Sequence, residues 1–107
     1  MVKTVQEAFE AMPAAFQPQE ARGLTATFQF EISGEGGGEW YVDVQDGVLT
    51  VARGRHPRPD VVFRATAENY LGIANGRINN AMAAVTGKIK IEGSMLTAMK
   101  LQKIFKR

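Results

Sequence analysis

Residues 24–33 alternate without a break. Leu24, Ala26, Phe28, Phe30 and Ile32 fall on one side, and Thr25, Thr27, Gln29, Glu31 and Ser33 on the other. That period of two is the signature of a half-buried β-strand, and no helix can place those five apolar side chains on one face. Three more such runs follow. Trp40, Val42 and Val44 share a face, residues 48–53 form the next run, and Val61, Phe63 and Ala65 alternate within residues 60–66. Asp46-Gly47 joins the second and third runs, and both residues tolerate the positive φ of a tight hairpin. Four consecutive short strands predict an antiparallel meander.

The flanks read differently. Val5, Phe9, Met12 and Phe16 recur at spacings of four, three and four, which predicts an N-terminal helix over residues 4–16. Thr4 caps it, with Glu7 at the capping-box spacing. Pro13 should kink or end it near Met12. Residues 18–23 read as a loop, and the glycine run at 34–38 as a flexible turn. After residue 66 the period changes. A helix over 67–76 carries Tyr70, Leu71 and Ile73 and stops at Gly76. A short helix from about Asn79 to Thr86 is capped by Asn79 or Asn80 and ends at Gly87. Lys88 to Glu92 is a brief strand with Ile89 and Ile91 inward. Ser94 caps a last helix reaching about Phe105, whose Met95, Met99, Leu101, Ile104 and Phe105 cover a broad face. Lys103, Lys106 and Arg107 sit where its dipole favours cations.

The order is therefore α-β-β-β-β-α-α-β-α. Grouped strands with segregated helices indicate an α+β fold, a five-stranded and mainly antiparallel sheet covered by helices on one face. The 107 residues fit one domain, 1–107, with room for one core.

The catalytic inventory is poor. There is no cysteine, so thiolate nucleophiles, disulfides and cysteine-ligated metals are excluded. His56 is the only histidine and lies in the proline-flanked basic loop 53–59. Ser33 and Ser94 lie in no nucleophile motif. Asp43 and Asp46 flank a hairpin turn. The reading is a protein that is not an enzyme, with no metal and no cofactor. A reducing cytoplasm suits a chain without cysteine. The N-terminal stretch lacks the uninterrupted apolar core of a signal peptide, and nothing approaches the roughly 18 apolar residues of a membrane span. The terminal IFKR is no peroxisomal address.

The net charge of +2 conceals an asymmetry. Residues 1–50 hold eight carboxylates against Lys3 and Arg22, a net −6, whereas residues 51–107 hold eleven basic side chains against Asp60, Glu68 and Glu92, a net +8. Mutual neutralisation of the two halves is the first expectation, and transient contact with an anionic membrane surface the second. Nucleic acid is not expected as a partner. The basic half has no interleaved surface aromatics, and Phe28, Phe30 and Trp40 alternate as an inward face should.

A resemblance adds to this. The segments Gly76-Arg77-Ile78, Ala81-Met82, Gly87-Lys88-Ile89-Lys90-Ile91-Glu92-Gly93-Ser94 and Ala98-Met99-Lys100-Leu101, with Asp60-Val61-Val62-Phe63 upstream, resemble the sterol carrier protein-2 (SCP2-like) domain family. Arg77 stands where lysine is common. The resemblance implies helices closing an apolar tunnel over the sheet, and a non-catalytic carrier for a fatty acid, acyl-CoA, phospholipid or sterol-like ligand. Inward periodicity and the resemblance together place Phe28, Phe30, Trp40, Val42, Phe63, Tyr70, Leu71, Met82, Ile89, Ile91, Met95 and Met99 around that ligand. An anionic head group is expected near Arg77, Lys88, Lys90 or Lys100 at the mouth. The competing expectation is a structural or interaction module with the same fold and a filled core, as a monomer or weak homodimer.

Overall fold

The computed structural model describes residues 1–105; the expected cations at Lys106 and Arg107 lie outside the described residues. The elements are helices α1 (Val5–Glu10) and α2 (Met12–Ala15), a 3-10 turn at Pro18–Ala21, and strands β1 (Thr25–Ser33), β2 (Gly38–Gln45), β3 (Val48–Arg53) and β4 (Val61–Thr66). Helices α3 (Ala67–Ala74) and α4 (Asn80–Val85), strand β5 (Ile89–Gly93) and helix α5 (Met95–Ile104) complete the chain.

Local signals account for most of the boundaries. The Glu7 N–H donates to Thr4 Oγ1 at 3.1 Å, and the Glu7 carboxylate reaches back to the Lys3 N–H at 2.9 Å. Pro13 opens α2, so the predicted single helix is two short ones separated at Ala11. Asn79, rather than Asn80, caps α4 by accepting from the Ala81 and Met82 N–H groups at 2.9 and 3.3 Å. Ser94 accepts from the Thr97 N–H at 3.2 Å and starts α5. The β2–β3 hairpin turns at Asp46 and Gly47, both with positive φ.

The sheet order is β3-β2-β1-β4-β5, and this corrects the expected meander. Only β1, β2 and β3 form one. Strand β4 does not pair with β3; it lies on the far side of β1 and runs parallel to it, with Phe30 opposite Phe63. The other pairs are antiparallel. The longest alternating strand is therefore central, and residues 54–60 must cross beneath it on the face away from the helices.

That crossing buries residues expected in solvent. Gln29 is 2% exposed: its Nε2 donates to the Trp40 and Gly54 carbonyls at 3.1 and 3.0 Å, and its Oε1 accepts from the His56 N–H at 2.8 Å. Asp60 accepts from the Thr27 N–H at 2.8 Å, and Thr27 Oγ1 donates to Asp43 at 2.7 Å. Both polar side chains of the inner β1 are thus satisfied, as buried polar groups must be. His56 packs edge-on against Tyr41, so the lone histidine serves this crossing.

Beyond it the outer face carries an ion-pair chain. Glu92 pairs with Arg64 at 2.6 Å, Arg64 with Glu31 at 2.9 Å, and Arg55 with both Glu31 and Glu39. Acidic strands of the first half meet arginines of the second, which is part of the expected neutralisation. Arg55 and Glu92 are largely exposed and Arg64 and Glu39 partly so, and each such pair stabilises little. The Arg64 guanidinium hydrogen-bonded to Glu92 holds that carboxyl below its ordinary pKa. Its contribution is then present above the unfolded value and fades as pH falls through the folded one. Carbon-detected NMR titration should find the Glu92 midpoint depressed, and Arg64→Gln should return it to an ordinary glutamate value.

Gly93 closes β5 with φ +104, and a Cβ there would collide with the Asp60 carbonyl oxygen. Both facts bar a side chain where β5 meets the start of β4. Gly93→Ala should cost about 3 kcal/mol in urea unfolding, near the top of the range for backbone strain because the obstacle is backbone.

Candidate ligand cavity

The helices divide the apolar face of the sheet into a filled half and an open half. Phe9 of α1 is fully buried and fills the β1–β2 side. Its ring stacks on Trp40 at 4.8 Å and on Tyr70 at 5.2 Å, and meets Phe30 edge-on at 5.1 Å. The Arg53 guanidinium lies over the Trp40 ring, 5.0 Å from its centre. Phe28, Val42 and Val44 are fully buried in this half.

Over β4 and β5 the layers do not close. A cavity of about 390 Å³ separates the strands from α2, α3 and α5, a volume within the roughly 300–1,000 Å³ of small-molecule sites. Phe30, Phe63, Ile89 and Ile91 form its floor. Tyr70, Ile73 and Ala74 of α3 form one wall, and Met95, Ala98, Met99 and Leu101 of α5 another. Ala8, Ala11, Met12 and Ala15 line it from the N-terminal helices. The space exists because those helices present alanines to it: each lacks the side chain that would fill the gap, as Phe9 fills the other half. Asn75 pins Val2 at the rim by a reciprocal pair of hydrogen bonds, both 2.9 Å.

The structure therefore brings Phe30, Phe63, Tyr70, Ile89, Ile91, Met95 and Met99 to the wall, and does not bring the other expected residues there. Phe28, Trp40 and Val42 belong to the packed half. Leu71 is half-buried against the core. Met82 is 56% exposed, because α4 turns the buried Ala83 inward and Met82 outward. The alanines of α1 and α2 were missed. The one available signal was the Ala8, Ala11, Ala15 spacing, which places small side chains on a common helical side but does not say what they face.

Among the described residues no charged side chain lines the cavity. Its polar wall groups include the Asn75, Asn80 and Gln102 amides. The lysines and the arginine expected to meet a head group, Lys88, Lys90, Lys100 and Arg77, are absent from the wall; Lys90 lies on the opposite face of β5, across from Arg64. Among the described residues no group of His, Cys, Asp or Glu is placed to hold a metal, and no helix is long and apolar enough to cross a membrane.

Residues 6–106 match the SCP-2 sterol transfer family. The chain belongs to that family. Its members of known structure share the architecture described above. The palmitated SCP2L2 of Aedes aegypti superposes with a TM-score of 0.81 at 28% identity, over 95% of this chain and 94% of that one. The sec-alkylsulfatase Pisa1 from Pseudomonas sp. contains the same fold, with a TM-score of 0.80 at 19% identity, over 92% of this chain but 16% of that one. Among sequences, the hydroxysteroid dehydrogenase-like protein 2 of Rattus norvegicus is 34% identical over 101 residues, 94% of this chain and 19% of that protein. The chain thus spans about a fifth to a quarter of the length of the curated relatives it matches, and the SCP-2 unit occurs within much longer proteins.

Proposed function

We propose that this chain is a lipid-binding unit that holds an elongated apolar ligand, such as a fatty acyl chain, in the cavity over β4 and β5 and does no chemistry on it. The observation that carries the reading is the cavity itself: about 390 Å³, floored by Phe30, Phe63, Ile89 and Ile91, without a charged wall residue among the described residues. Each methylene moved from water into such a space contributes roughly 0.8 kcal/mol. The palmitated state of the Aedes aegypti relative supports an acyl chain as the occupant. The dehydrogenase and sulfatase names of the longer relatives are not carried over, because the match covers only a small part of those proteins. A filled core, the competing reading of this fold, is disfavoured by the open space.

The test is direct. Native mass spectrometry of protein purified without lipid stripping should show a retained apolar adduct. Delipidated protein should then take up one fluorescent fatty acid with micromolar or tighter affinity, displaced by palmitate. No uptake at those concentrations overturns the reading. The described wall residues carry no charge, which leaves the head group at the rim, so hexadecanol should displace the probe within about tenfold of palmitate, a difference of about 1.4 kcal/mol or less. Preference for the acid by a hundredfold or more would require a buried cation that the described wall residues do not supply.

A further inference from the structure

Of the five methionines, three line the cavity: Met12 of α2, and Met95 and Met99 of α5. Methionine commonly fills irregular core space. Met95 and Met99 do not serve that role, because they stand 55% and 59% exposed in the wall of a space that stays open. On α5, at about 100° per residue, Ala98, Gln102, Met95 and Met99 fall within an arc of about 100°, and all four line the cavity. Ala98 adds little bulk to that stripe. The Gln102 side-chain amide, one turn from Met99, makes no hydrogen bond among the described residues.

The chain has no cysteine, and Trp40 is buried in the packed half. Among the described residues the three thioethers are therefore the groups of this wall most readily oxidised by two electrons. Met82 supplies an internal reference for them. It is 56% exposed, between Met95 and Met99 in that respect, and it does not line the cavity.

We infer that Met12, Met95 and Met99 reduce a hydroperoxide carried into the cavity on an oxidised acyl chain, an inference that rests on the lipid-binding reading and adds a reaction to it. The thioether sulfur attacks the outer oxygen of the C–O–O–H group. The S–O bond forms as the O–O bond breaks, and the hydrogen of the transferred hydroxyl passes to the oxygen left on the chain. Sulfur is oxidised by two electrons to the sulfoxide, and the hydroperoxide is reduced by two to the alcohol. Burial of the apolar chain holds the peroxide beside the sulfur, so a slow encounter between two dilute partners becomes a reaction within one complex. The Gln102 amide can donate to the departing oxygen or accept from the hydroperoxide O–H. An intact chain offers the thioethers nothing to react with and is held unchanged. Each sulfur reacts once, so the process is stoichiometric. Met95 and Met99 are exposed enough for a methionine sulfoxide reductase to restore them.

The test treats the delipidated chain with linoleic acid hydroperoxide in the presence of a metal chelator, and peptide mass spectrometry reads the oxygen gained at each methionine. Met95 and Met99 should be oxidised about tenfold or more faster than Met82, with one hydroxy acid formed for each sulfoxide. Hydrogen peroxide has no chain to bind, so it should oxidise Met82, Met95 and Met99 within about threefold of one another, as their similar exposures imply. Excess palmitate should remove the preference shown by the lipid hydroperoxide. Met12→Leu with Met95→Leu and Met99→Leu should lower the hydroxy acid formed per bound hydroperoxide about tenfold, and Met82→Leu should leave it unchanged. Equal rates at Met82, Met95 and Met99 with the lipid hydroperoxide overturn the inference. So does a preference of the same size with hydrogen peroxide, or one that palmitate does not remove. Displacement of the fluorescent fatty acid by linoleic acid is measured alongside. Uptake without selective oxidation overturns this inference alone, whereas no uptake overturns the ligand reading as well.

Discussion

Filling the cavity from the helix side, with Ala15→Phe and Ala74→Phe together, should lower fatty-acid affinity about a hundredfold and leave the fold standing. Both alanines line the cavity and both are only partly buried, so the new rings have open space to enter rather than packed neighbours to displace. Overpacking, the usual penalty of small-to-large changes in a core, is thereby reduced. A ring occupying that space excludes methylenes of the ligand. Excluding three or four of them forfeits about 2.4–3.2 kcal/mol at roughly 0.8 kcal/mol each, and every 1.4 kcal/mol is about tenfold in affinity. Titration with the fluorescent fatty acid reads the loss, and a thermal melt reads the fold. Unchanged affinity in a folded double variant would place the ligand elsewhere.

The second large effect is on stability. Phe9→Ala should cost about 3–5 kcal/mol, the range for deleting a buried aromatic side chain. Phe9 has no solvent exposure and touches three aromatic rings at once. Offset and edge-to-face pairs add to the burial they share. Total stability for a domain of this size is about 5–15 kcal/mol, so the loss is a large fraction of it. Urea unfolding should show a lower midpoint with a similar slope, and the melting temperature should fall by about 15 °C or more. A loss below about 1 kcal/mol would mean that α1 is not the plug of the packed half. The two substitutions act on opposite sides of one division: Phe9 supports the half that is closed, and the alanines leave open the half that is not.

Much of this was readable from residue patterns. The alternation from Leu24 to Ile32 names the side chains that face the helices, and the structure buries Ala26, Phe28, Phe30 and Ile32 there. Asp46-Gly47 marks the hairpin, Pro13 the break between α1 and α2, and Thr4, Asn79 and Ser94 the helix starts. These signals are local, because each depends on a few consecutive φ and ψ angles or on one capping hydrogen bond, and a sequence carries them directly. The segment Gly87 to Ser94 carried the resemblance to the family, and Gly93 has the close backbone approach that such a glycine implies.

Other features depend on which surfaces meet. Period two shows that β4 has an inward face, but not that β4 pairs in parallel with β1 instead of with β3. That choice sends residues 54–60 beneath the sheet and buries Gln29 and Thr27, which alternation alone assigns to solvent. Period 3.6 groups Met82 with its apolar neighbours, but a helix as short as α4 can present either face to the core, and it presents Ala83. The cavity is the clearest case. Its floor was legible as inward-facing Phe30, Phe63, Ile89 and Ile91, whereas its emptiness was not. A void is the difference between the volume two layers enclose and the volume their side chains fill. The side chains stand in the sequence from Val2 to Phe105; the enclosed volume appears only when α2, α3 and α5 have been set over β4 and β5.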